Sequence, residues 1–102
     1  MSDLTEVQAQ FLKDPAAVLP YYRDWSDWLD AGESIVSSSW TVTPANDVTI
    51  VLEQMIGTTK TAVWLSGGVA GVPYTVTNEV TTDSSPIAKV DERSFTLVCR
   101  SR

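Results

Sequence analysis

From Ser34 to Arg100 apolar and polar residues change places with a period close to two, in runs broken by turn residues about every 8 to 12 positions. In the first run Val36, Trp40 and Val42 share a face; Thr43, Pro44, Ala45, Asn46 and Asp47 make a turn, and Val48, Ile50 and Leu52 mark the next run. Between Thr61 and Thr82 two runs rich in Thr, Val, Trp and Tyr flank Gly67, Gly68 and Gly71, and near the end Phe95, Leu97 and Cys99 alternate with Ser94, Thr96 and Val98. β-branched and aromatic side chains suit a pleated, half-buried surface, and glycines between such runs let the chain reverse. The pattern predicts an all-β sandwich whose core includes Val36, Trp40, Val42, Ile50, Leu52, Trp64, Tyr74, Val76, Phe95 and Leu97.

One spacing narrows the expectation. Gly71-x-x-Tyr74-x-Val76 sets a phenol just after a corner and two residues before an inward apolar position. This is the tyrosine-corner arrangement of immunoglobulin-like sandwiches. Gly71 and Tyr74 are therefore the expected structural corner, with an upstream carbonyl as the partner of the buried hydroxyl.

The N-terminal third follows another pattern. Leu4, Val7, Phe11 and Leu12 recur at helical spacing behind Asp3 and Glu6, a carboxylate form of the capping box, and Lys13-Asp14-Pro15 ends the segment. The prediction is a short helix, too short to persist alone and so in need of a surface. The chain then divides into an N-terminal arm, residues 1–18, and an immunoglobulin-like β-sandwich, residues 19–102. At the junction VLPYYRDWSDWLD carries Tyr21, Tyr22, Trp25 and Trp28, four of the nine aromatic residues. Asp24 is placed to cap one helical turn through Leu29 and to set Trp25 and Trp28 on one face.

Charge sharpens the contrast between the two parts. The net charge is −6, and residues 1–33 hold seven acids and two bases while the remainder holds six acids and five bases. Clustered Lys and Arg, the footprint of nucleic-acid binding, are missing. There is no histidine and only one cysteine, Cys99, so the commonest general base, the commonest zinc ligand and any intrachain disulfide are absent. The carboxylates Asp24, Asp27 and Asp30 lack the alternating ligands and turn glycine of a calcium loop. Ser37–Ser39 have no activating base nearby, and no Lys-Ser or Lys-Thr follows Gly67, Gly68 and Gly71. No enzyme, metal or cofactor is expected. The first residues, MSDLTEVQAQFLKD, have no apolar core of a secretory signal, and no stretch reaches the roughly 20 apolar residues of a membrane span.

Aromatic residues in an acidic extension are typical of protein interfaces or of sugar platforms. The first reading makes Phe11, Leu12, Tyr21, Tyr22, Trp25 and Trp28 contacts to a neighbouring subunit, with Asp24, Asp27 and Asp30 at the rim. The second uses Trp25 and Trp28 to stack on glycans.

In order, Lys13-Asp14-Pro15, Asp24-Trp25-Ser26-Asp27-Trp28-Leu29, Ser39-Trp40-Thr41-Val42, Ala62-Val63-Trp64-Leu65-Ser66-Gly67-Gly68, Gly71-x-x-Tyr74-Thr75-Val76-Thr77-Asn78 and Asp91-Glu92-Arg93-Ser94 resemble a family of small tailed-phage virion proteins, the fibre-tail adaptors. The resemblance covers nearly everything after Lys13. Pro20-Tyr21-Tyr22-Arg23 departs from a Tyr-Gly type pair in that family, and the loop before Asp91 lacks its Gly-Arg turn. The resemblance implies a structural virion component made in the host cytoplasm. It would be an oligomeric ring adaptor in the tail or neck that joins fibres to tail or connector proteins, with no catalytic residues to transfer. The alternative is an immunoglobulin-like adhesion or carbohydrate-binding module on the virion.

Overall fold

The computed structural model describes residues 10–45 and 47–100. Among these residues seven strands follow one another: β1 (Gln10–Lys13), β2 (Val18–Asp24), β3 (Ile35–Thr43), β4 (Val48–Ile56), β5 (Lys60–Gly67), β6 (Pro73–Thr82) and β7 (Val90–Cys99). They form a four-stranded sheet in the order β1-β7-β6-β3 and a three-stranded sheet in the order β2-β5-β4. All pairings between named strands are antiparallel except β1 with β7. The expected all-β sandwich is what the chain forms, and its main core joins Tyr21, Trp40, Val42, Val48, Val63, Leu65, Tyr74, Val76, Phe95, Leu97 and Cys99 from both sheets.

The short helix does not extend over Phe11 and Leu12, which lie in β1; Leu4 and Val7 fall outside the described residues. A parallel edge beside β7 satisfies the backbone of Gln10–Lys13, which a helix of so few residues could do only at the cost of nucleation. Gln10–Lys13 thus form an edge strand of the larger sheet.

Three expected core residues point elsewhere, and two bulges explain two of them. Ile35 pairs with Thr82 but Ser37 with Thr81, so Val36 is the extra residue of β3. Ile35 turns inward in its place and Val36 is 56% exposed. In β4 the register slips between Ile50 and Leu52, and Leu52 is re-aimed to the outer face. A one-residue slip exchanges the two faces of a strand downstream of it. Trp64 sits between the buried Val63 and Leu65 on β5 and so faces outward, half-buried, beside Leu52.

At the end of the sandwich where β5 turns toward β6, Gly68 has φ +108°, and a Cβ there would run into the buried Cys99 sulfur. Gly68→Ala is expected to cost about 2 kcal/mol or more, from left-handed strain plus overpacking. In a urea titration the Gly68→Ala/Cys99→Ala double variant should lose less than the sum of the single losses, because removing the sulfur relieves the collision. Strict additivity would place the strain elsewhere.

Candidate functional site

Tyr74, at the start of β6, is buried, and its hydroxyl accepts the backbone N–H of Val69 at 2.9 Å. The partner of the phenol is thus a backbone N–H five residues upstream, where a carbonyl was expected. Tyr74→Phe strands that N–H and should cost about 1 to 2 kcal/mol. Tyr21→Phe removes no protein hydrogen bond among the described residues and should leave the urea midpoint nearly unchanged, which makes it the control.

The segment between β2 and β3 is a plug for the opposite end of the sandwich. Asp24 Oδ1 accepts the N–H of Ser26 at 2.9 Å, an Asx turn that holds the Asp24 carboxyl below its usual range. The Trp25 carbonyl then accepts the N–H groups of Trp28 (2.9 Å) and Leu29 (3.2 Å), closing one turn. That turn drives Trp25 inward to 0% exposure, where it packs with Ile35 and Val80 in a second, smaller core flanked by Trp28 and Leu29. Its indole Nε1–H donates to Asn78 Oδ1 at 2.9 Å, and the same oxygen accepts the Thr61 hydroxyl at 2.6 Å. Asn78 Nδ2 donates to Ser38 Oγ (2.9 Å) and to the Ser39 carbonyl (3.0 Å). This amide links β3, β5, β6 and the plug.

The rings are used up as well. Arg93 stacks its guanidinium 4.5 Å from the Trp25 ring centre, and Trp28 meets the same ring edge-on at 5.1 Å. Lys89 Nζ lies 4.6 Å over Trp28 while pairing with Glu33 Oε1 at 3.0 Å and Asp30 Oδ2 at 3.7 Å. The N–H of Asp30 also donates to Glu33 Oε1, and this bond, before the Lys89 contact, holds the Glu33 carboxyl below its usual range. Lys89 is correspondingly raised by its bond to Glu33.

Of the expected contact residues, Trp25 and Tyr21 are core and cannot be surface anchors of the folded chain. Tyr21 lies between Phe11 (ring centres 5.6 Å) and Phe95 (5.4 Å), and burial raises its phenol above the usual range. Because Trp25 is enclosed, the paired-indole platform for glycans is not formed. Exposed or half-exposed are Phe11, Leu12, Tyr22 and Trp28, with Asp24, Asp27 and Asp30 on the surface. They do not make one patch: Phe11 and Leu12 belong to the β1 edge, Tyr22 to the outer face of β2, and Trp28 with Asp27 and Asp30 to the plug.

Sequence reasoning missed Lys13, whose side chain is buried with Nζ donating to the carbonyls of Gly67 (2.6 Å) and Asp14 (3.0 Å). Desolvation pulls this ammonium below the usual lysine range. It ties β1 to the glycine corner, and nothing in its local sequence distinguishes it from a solvated lysine. Among the described residues no group of His, Cys, Asp and Glu is arranged to hold a metal ion. The arrangement offers hydrogen-bonded and cation-capped aromatics inside and apolar strand surfaces outside.

A family model described as Gp77, podophage GP4 fiber-tail adaptor protein gp77, matches residues 13–98. No curated protein matches the chain.

Proposed function

The chain belongs to the podophage GP4 fibre-tail adaptor family, and from that membership we propose that it is an oligomeric adaptor in the neck or tail of the virion, set as a ring between fibres and the tail or connector. The single observation that carries this reading is a family match running from the buried Lys13 to the penultimate residue of β7, nearly the whole sandwich. An adaptor acts by presenting surfaces, and it requires no reacting groups. In this reading Phe11 and Leu12 on the β1 edge, Tyr22 and Trp28 contact neighbouring virion proteins, while Asp24, Asp27 and Asp30 steer the approach. The immunoglobulin-like part of the fold reading is supported by the strand order, which pairs β2-β5-β4 and β7-β6-β3 as B-E-D and G-F-C pair in constant immunoglobulin domains, and by the Tyr74 corner.

Leu12→Ser leaves the main core untouched and should keep the fold. If Leu12 is a buried contact in the particle, this change should weaken incorporation by about tenfold or more, as loss of an interface anchor does. Particles made with Leu12→Ser and carrying normal amounts of the chain would remove the β1 edge from the interface.

A further inference from the structure

The two sheets treat their outer faces differently. Outside the four-stranded sheet, Thr41, Thr77 and Ser94 lie side by side, as do Thr43, Thr75 and Thr96, and the Thr77 and Ser94 hydroxyls are 2.7 Å apart. Those two rows are polar, and apolar side chains return only in the row of Leu12, Val98 and Pro73 toward one end. Outside the three-stranded sheet the register puts Pro20, Trp64 and Leu52 in one row and Tyr22, Ala62 and Gln54 in the next. Tyr22 is 60% exposed and Leu52 47%, and Val18 and Ile56 extend the apolar surface at its two ends. An antiparallel sheet with one solvated face ordinarily alternates apolar-in and polar-out, and here the outward row of Pro20, Trp64 and Leu52 is apolar too, with Tyr22 and Ala62 beside it. The β4 bulge enlarges this surface, since without it Leu52 would point to the core.

The charges around this face select its occupant. Across the rows described there is no charged side chain until the row of Asp24, Lys60 and Ile56. Asp27 follows in the plug beyond that end. At the other end lie Asp14, in the turn before Val18, and Asp47, whose carbonyl accepts the N–H of Gly68. Lys60 stands opposite Asp24 across the strands, and Arg100 belongs to the end of the other sheet. Four carboxylates thus bracket an uncharged apolar centre, about 25 Å from end to end at 3.3 Å per residue. Three strands about 4.8 Å apart make the face only a few hundred Å². Two copies, each of charge −6, would set like charges against like across this face.

We infer that the outer face of the β2-β5-β4 sheet docks a different protein, one that presents an apolar centre flanked by basic residues. The inference goes beyond the adaptor reading by naming the face and the chemistry of its partner, and it rests on that reading for the partner's being in the particle. Pro20, Trp64 and Leu52 supply the contact, and Asp14, Asp47, Asp24 and Asp27 set its orientation.

The test adds purified full-length chain to particles assembled without it and measures retention over a range of salt. Trp64→Ser and Leu52→Ser, whose folding a urea titration checks separately, are expected to bind at least tenfold more weakly at every salt concentration. The four-fold Asp→Asn variant at positions 14, 24, 27 and 47 keeps the side-chain acceptors of the Asx turns; it should bind more weakly at low salt and lose the salt dependence of the native chain. Face variants that fold and bind within twofold of the native chain would overturn the inference while leaving the adaptor reading intact. Unaltered salt dependence in the Asp→Asn variant would overturn the basic partner. Self-association of the native chain that both face variants abolish in sedimentation would make a second copy the occupant and overturn it as well. If the native chain itself is not retained, every form fails alike, and the adaptor reading falls together with the inference.

Discussion

Trp25→Ala is expected to remove about 3 to 5 kcal/mol of stability, the range for deleting a large buried aromatic, and so most of what holds a domain of this size together. The indole is enclosed, it fills the second core with Ile35 and Val80, and its N–H holds Asn78. Arg93 and Trp28 would also lose the ring on which they rest. Urea titration followed by far-UV circular dichroism measures the loss. A midpoint close to that of the native chain would mean that the plug closes the end of the sandwich without its tryptophan. The same substitution in an assembly assay would fail through folding, so it cannot report on an interface.

Asn78→Ala is the second large effect. It leaves the Trp25 indole N–H, the hydroxyls of Thr61 and Ser38 and the Ser39 carbonyl without their partner, in a region where Asn78 and Thr61 are both fully buried. Each group stranded away from water costs about 1 to 3 kcal/mol, and side-chain rearrangement recovers part of the total, so a loss of about 3 kcal/mol or more is expected. Trp25→Phe removes one of the same bonds from the other side. The Trp25→Phe/Asn78→Ala double variant should therefore lose less than the sum of the single losses, and additivity within about 0.5 kcal/mol would argue against a coupled network.

Alternation and turn residues made the sandwich legible, and the phase of β6 and β7 held throughout: Tyr74, Val76 and Val80 on one strand and Phe95, Leu97 and Cys99 on the other are all buried. In that phase Asn78 falls between Val76 and Val80, so an inward amide could have been read from YTVTN. The bulges at Val36 and around Val51 could not, because a bulge is defined by what the partner strand does and leaves no period of its own. β2 was concealed by Pro20, which reads as a break; in the fold β2 is an edge strand, where proline is accommodated. Trp25 was misplaced because an acidic, aromatic segment has the composition of an interface, while the turn that sends its indole inward depends on Asn78, 53 residues away.

The proposed contact surface was legible only in part for the same reason. Tyr22 and Leu12 stand out as exposed apolar residues on strands, yet the row of Pro20, Trp64 and Leu52 exists only once three strands are in register.

The most direct measurement of the proposed joining of fibres to the tail is the fibre content of particles assembled without the chain, before and after the purified chain is added back. Particles that lack fibres and regain them on addition of the native chain are the expected result. Particles that carry a full set of fibres without the chain would contradict the adaptor role.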